Sequence, residues 1–307
     1  MPTVSEILRN PDFKVFRAKL NELHSPVPWP GGNIKLPTET EGQKASGLVG
    51  TAYNCWLTLT LLEVGKEREL HVEAMRGIDL FRAYGDRPYF DAEGKVHRFS
   101  AAQIEAKLLL HSSVLKNALP RAPWLSDPEI ESLLFYAELE HGFRSSGFEW
   151  ERTSLFTISE QVPRELRKLM LHTNLLLFSG PPILNPVFGY HGDKNSINAD
   201  GDLITGATLV EIKSGKKDGW QSTLRQLLLY WALNQLRSHS FKIDSLAAYY
   251  PRYELWYEIG MDEFCTKAQQ KGLVDLVTAF VSRRKAPPAA RKKPNKPRSV
   301  VKKRRFR

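Results

Sequence analysis

INADGDLITGATLVEIKSG, residues 197–215, reads as a β-hairpin that carries an Asp, a Glu and a Lys. Leu203-Ile204 and Thr208 to Ile212 are short β-branched and aliphatic runs. Gly206-Ala207 between them puts Gly at the first central position of a two-residue type II′ turn. Strict pairing about that turn sets Asp202 directly opposite Glu211, and the alternation of side chains along a strand returns Lys213 to the face of Glu211. Leu203, Val210 and Ile212 then point to the other face, where a core can bury them. Directly opposed residues have Cβ atoms roughly 5 Å apart, close enough for two carboxylates to hold one divalent cation with the ammonium beside it. The competing reading makes Asp200-Gly201-Asp202 a turn and Glu211-Ile212-Lys213 a solvated strand end, since E-x-K recurs by chance.

The next segment bears on that choice. A helix is expected from about Gln221 to Leu236, with Gln226 and Tyr230 four apart and so on one side. Its other residues include Leu224, Leu227, Leu228, Leu229, Trp231 and Leu233. A helix apolar all round is normally buried, and a buried Gln and Tyr require hydrogen-bond partners. They are either two satisfied polar groups in a core helix or a support for the charged hairpin.

As a set, Asp202 in G-D-L-I, Glu211-Ile212-Lys213 and the Gln-x-x-x-Tyr of Gln226 and Tyr230 resemble the PD-(D/E)XK nuclease superfamily, in its RecB-like branch. GLVGTAYNCWLTLTLLE, from Gly47 to Glu63, is similar to that family's first motif, with Asn54 where many members have His. The likeness covers Gly47 to Glu63 and Ile197 to about Ile259. It implies an α/β, restriction-endonuclease-like fold, with a mixed central sheet flanked by helices. It also implies a metal-dependent nuclease hydrolysing DNA. Asp202 and Glu211 would bind Mg²⁺ or Mn²⁺, with the Ile212 carbonyl as a third ligand by resemblance; hard oxygen ligands suit these cations. Lys213 would orient the attacking water, and Gln226 and Tyr230 would position Lys213 or the phosphate. Asn54 is a site residue or a helix polar group with a local partner; Glu63 is a further carboxylate or a solvated charge.

Composition limits the alternatives. Apolar residues at 42% and charged residues at 25% are those of a globular chain. No run of eighteen apolar residues and no signal-peptide pattern occurs, so a cytoplasmic protein without membrane partners is expected. Cys55 and Cys265 are the only two cysteines, too few for a four-thiolate cluster, and both are expected as buried thiols. The net charge of +10 belongs to one end: 283–307 hold thirteen of the 44 Lys and Arg and no acid, leaving 31 basic against 34 acidic residues elsewhere. This Pro-rich tail is expected to be disordered. Its Arg291, Lys292, Lys293, Lys302, Lys303, Arg304 and Arg305 are candidates for salt-sensitive contact with DNA or RNA phosphates, against a solubilising or localisation role.

The remaining chain reads as 1–65 with the first core helix, a helical insertion over 66–178, the nuclease core over 179–282 and the tail. Ser100-x-x-Gln103 and Ser126-x-x-Glu129 have the capping-box pattern and open helices to about Ala118 and His141. DRPYFDAEGKVHRF, from Asp86, reads as a hairpin or irregular loop. Glu165 to Phe178 is expected as one helix, and SGPPILNP from Ser179 as a turn-rich entry to the sheet. Ser245 to Tyr249 and Leu255 to Ile259 are expected as a second hairpin, with Arg252 at its turn facing water or phosphate, and Asp262 to Ser282 as a last helix. His71, His97, His111, His141 and His172 lack the spacing of a zinc pair; Glu140-His141, at a helix end, is within conceivable reach of the site. No phosphate-binding motor loop occurs, so unwinding would need a helicase or another defence or repair partner. Foreign-DNA defence, recombination and repair fit equally, and a catalytically inactive nucleic-acid-binding or scaffold protein of the same fold is the alternative.

Overall fold

The computed structural model describes residues 18, 36, 43–61, 88–90, 96–98, 100–118, 125–144, 160–191, 196–197, 199–215 and 220–282. The sequence also reads as a charged amphipathic helix from Glu67 to Tyr84; that segment, Glu63 and the basic tail lie outside the described residues.

In chain order the elements are α1 (Gln43–Leu61), β1 (Pro88–Phe90), β2 (Val96–Arg98), α2 (Ala101–Ala118), α3 (Asp127–Arg144) and α4 (Gln161–Leu171). There follow a 3-10 turn (Leu175–Phe178), β3 (Pro182–Leu184), β4 (Tyr190–His191), β5 (Ser196–Ile197), β6 (Leu203–Thr205) and β7 (Thr208–Ile212). The chain continues with α5 (Trp220–Gln235), β8 (Ser245–Tyr250), β9 (Leu255–Gly260), α6 (Met261–Phe264) and α7 (Lys267–Ser282).

The protein is a mixed α/β structure around a five-stranded sheet of order β3-β6-β7-β8-β9. β6 and β7 pair antiparallel as Leu203↔Val210, Ile204↔Leu209 and Thr205↔Thr208. Gly206 alone of the two turn residues takes a left-handed φ, +59°, as the first position of a type II′ turn requires. The register expected from the turn is therefore the register found. β7 and β8 run parallel, with Glu211 beside Ala248. A parallel pair needs a crossover, and α5 supplies it. β8 and β9 form the expected second hairpin.

Alternation along the strands divides the core in two. Leu203, Val210, Ile212, Ala247 and Tyr249 share one apolar cluster with residues of α1, α2, α3 and α4. Ile204, Leu209, Leu246, Ala248 and Tyr250 share the other with α5, α6 and α7. The helices within 101–171 thus build the layer over one sheet face, α3 and α4 packing directly on α1. Both faces are covered, which is why β8 is almost uniformly apolar.

Both serine caps form: the Ser100 N–H donates to Gln103 Oε1 at 2.8 Å, and the Ser126 N–H to Glu129 Oε2 at 2.6 Å. β1 and β2 pair as a hairpin. Three expectations are corrected. Glu165 to Phe178 is not one helix, because α4 ends at Leu171 and Asn174 Oδ1 accepts the Leu176 N–H at 3.2 Å to open the 3-10 turn. The segment after Ser179 contains an edge strand, β3, on which Pro182 lacks only a donor that an edge leaves unused. The last helix is two, α6 and α7, because Thr266 and Gln269 cap α7 reciprocally at 2.9 and 3.3 Å. Among the described residues no helix is long and apolar enough to cross a membrane.

Candidate active site on the β6–β7 hairpin

Continuing the β6–β7 register by one pair places Asp202 opposite Glu211. Asp202 Oδ2 accepts the backbone N–H of Ile212 at 2.8 Å, so the carboxylate is clasped across the hairpin instead of pointing into solvent. Its Oδ1 lies 3.4 Å from Asn54 Nδ2, on α1. Glu211 is only 4% exposed on the sheet face that α5 covers. Lys213 Nζ donates to Glu211 Oε1 at 2.8 Å and to Gln226 Oε1 at 3.2 Å. Gln226 Nε2 donates to the Tyr230 hydroxyl at 2.8 Å. Glu211, Lys213, Gln226 and Tyr230 are therefore joined in one chain of polar contacts, and α5 is the support for the hairpin, not an unrelated core helix.

Sequence reasoning did not find what packs behind this chain. Phe188 is fully buried, stacks on Tyr230 with ring centroids 5.2 Å apart, and lies against Gly201, where an added Cβ would come within 2.8 Å of the Phe188 ring. Gly201 immediately precedes Asp202. The Phe188 N–H donates to Ala199 O at 2.7 Å and the Gly201 N–H to Pro186 O at 2.9 Å. One aromatic ring thus sets the spacing between the Asp202 segment and the Tyr230 end of α5. Gly201→Ala is expected to destabilise the fold by about 1–3 kcal/mol, as overpacking does, and to displace Asp202; an unchanged thermal midpoint would contradict this.

On the opposite side of Asp202 is a cleft lined by Asn54, Cys55, Thr58, Glu140, Asn185 and Asp202, among others. Glu140, placed near the site only as a possibility of reach, is 7% exposed here and accepts a hydrogen bond from Cys55 Sγ at 3.2 Å. The side chain of His141 lies outside the described residues. His111 and His172 are satisfied away from the site, by Ser132 Oγ at 2.9 Å and Glu254 Oε1 at 3.1 Å. Cys55 and Cys265 are buried thiols, as expected, and burial pushes the Cys265 thiol up to about 11.

Asn54 bears on whether a hard cation suits these residues. Among the described residues Asn54 Oδ1 is buried with no hydrogen-bond partner while its amide nitrogen faces Asp202, which leaves an oxygen ligand available beside the carboxylate. Among the described residues no three His, Cys, Asp or Glu side chains converge on a point. A cation beside Asp202 would draw on that carboxylate and the Asn54 oxygen, with water and neutral oxygens completing its shell, as Mg²⁺ sites commonly do.

Arg252 is a correction. It was expected at the β8–β9 turn facing water or phosphate, and it is instead fully buried. Its Nη2 donates to Glu165 of α4 and its Nε to the Ser214 carbonyl. Comparison with protein-family models, curated proteins and solved structures yields no match.

Proposed function

We propose that this chain is a divalent-metal-dependent nuclease of PD-(D/E)XK type, cleaving DNA phosphodiester bonds on a restriction-endonuclease-like fold. The observation that carries the reading is Lys213 Nζ held between Glu211 and Gln226 on the strand paired with the Asp202 segment. The ammonium has three N–H donors, and Gln226 takes one of them in a direction that α5 sets.

Asp202, Glu211 and the Ile212 carbonyl would hold Mg²⁺ or Mn²⁺, which when bound polarises the scissile phosphate and lowers the pKa of an attacking water. Lys213 orients that water and meets the negative charge that grows on the phosphate oxygens in the transition state. Gln226 aims Lys213, since its carbonyl accepts from the ammonium while its amide donates to Tyr230. Asp202 holds the hairpin in register through Ile212 N–H as well as presenting Oδ1. Because the chain outside the tail is weakly acidic, the thirteen basic residues of 283–307 supply the attraction for phosphate that two site carboxylates oppose.

Incubation with linear, circular and single-stranded DNA is expected to give cleavage in Mg²⁺ and none in EDTA; no metal-dependent cleavage of any substrate overturns the proposal. Circular DNA that survives while linear DNA is digested identifies end-dependent action. In calorimetry the parent binds Mn²⁺, and Asp202→Ala weakens that binding at least about tenfold. The second reading, a non-catalytic nucleic-acid-binding protein, draws on the Glu211–Lys213 contact at 2.8 Å, which engages one carboxylate oxygen inside the protein. Mn²⁺ binding that Asp202→Ala leaves untouched puts that reading ahead.

A further inference from the structure

We infer that Arg252 is a positioning residue for Lys213, acting through the Ser214 carbonyl; only the kinetic consequence of this role rests on the nuclease reading. The guanidinium has no solvent exposure and is held between two segments, Ser214 after β7 and Glu165 on α4, whose side chain is 2% exposed. The Arg252 backbone carbonyl accepts the Leu36 N–H at 3.0 Å.

Burying a guanidinium and a carboxylate together is a poor route to stability, because desolvation consumes most of the attraction and apolar side chains of the same volume often do as well. Here the pairing is also incomplete, since among the described residues Nη1 is buried with no hydrogen-bond partner. What the arrangement gives that apolar packing does not is a fixed donor on the Ser214 carbonyl, one residue beyond Lys213.

That peptide is where the strand leaves the sheet. The Lys213 N–H still donates to Tyr249 O at 2.9 Å, continuing the contact with β8. Beyond it, α1 approaches Ser214 closely: a Cβ added at Gly50 would come within 2.5 Å of Ser214 Oγ. The backbone of Lys213 is therefore pinned on both sides, by Tyr249 O at its own N–H and by Arg252 at the following carbonyl. With the main chain immobile, only side-chain torsions decide where Nζ sits, and Glu211 and Gln226 hold those. Gly50 lies one helical turn before Asn54, so the contact that seats Ser214 also sets the depth of Asn54 beside Asp202.

The test separates positioning from folding by removing both charges. Arg252→Met alone strands Glu165 in the core, whereas Arg252→Met combined with Glu165→Leu replaces the pair with apolar volume and is expected to melt within a few degrees of the parent. In this double variant the Ser214 carbonyl has lost its donor. We expect kcat to fall about 30–100-fold with KM within about twofold, the signature of a misplaced catalytic group and not of weakened binding. Arg252→Lys is expected not to restore kcat, since a single ammonium does not span both acceptors as the guanidinium fork does. A folded double variant with kcat within about threefold of the parent overturns the proposal. A second readout needs no cleavage: in ¹³Cε-lysine spectra of the full chain, the Lys213 line, assigned by its loss in Lys213→Arg, is expected to shift and broaden in the double variant. A line that stays in place with its width unchanged refutes the positioning role even if the parent proves not to cleave DNA, and an inactive parent refutes the nuclease reading alone.

Discussion

Lys213→Ala is expected to lower Mg²⁺-dependent DNA cleavage at least about a thousandfold while leaving the protein folded. One preorganised charge aimed at developing negative charge is worth about 10²–10³ in rate, and placing the attacking water adds to it. A thousandfold loss corresponds to about 4 kcal/mol of transition-state stabilisation. The protein is expected to stay folded, with some loss of melting temperature from the Glu211 carboxylate left without its ammonium, because the Lys213 side chain is 20% exposed and water can take its place. Lys213→Arg sharpens the test. Charge is kept, but a planar fork does not occupy the position an ammonium holds 2.8 Å from Glu211 and 3.2 Å from Gln226. Partial recovery in Arg would assign the effect to charge, and none would assign it to geometry. Single-turnover cleavage with the melting temperature recorded alongside measures both, and Lys213→Ala cleaving within tenfold of the parent removes Lys213 from the mechanism.

The largest effect on stability is expected at Arg252. Arg252→Met on its own removes the guanidinium from the buried Glu165 carboxylate, in a site that is 0% exposed on the Arg side and 2% on the Glu side. Breaking such a pair costs about 3–5 kcal/mol. At roughly 2–4 °C per kcal/mol for a large domain, the melting temperature falls by about 6–20 °C. Glu165→Leu alone is expected to do likewise, by stranding the guanidinium. Non-additivity is the diagnostic: the double variant should be more stable than either single variant, and simple addition of the two losses would show that the ion pair is not the unit.

The hairpin was legible because its information is local. A Gly at the first turn position and a period of two on either side fix the register from Leu203↔Val210 outward, and the Ser-x-x-Gln and Ser-x-x-Glu caps announce α2 and α3 in the same short-range way. Thr266-x-x-Gln269 carries that signal too, but an apolar pattern spanning Asp262 to Ser282 masked it. β3 was not legible, since three residues with a Pro among them show no period. Arg252 was illegible for a different reason: a lone Arg at a turn reads as exposed, and the acid that draws it inside is 87 residues away. Phe188 shares that difficulty, because the ring it stacks on, Tyr230, is brought back to it only by tertiary packing.

The two sides of the site close over unequal lengths of chain. Glu211, Lys213, Gln226 and Tyr230 lie within one strand–helix unit, whereas Asn54 meets Asp202 across a sequence separation of 148 residues. Loop entropy rises with such separation, and long-range contacts are the slow ones to form. The ammonium and its amide support can therefore assemble from local contacts early in folding, while the α1 wall beside Asp202 must wait for long-range packing.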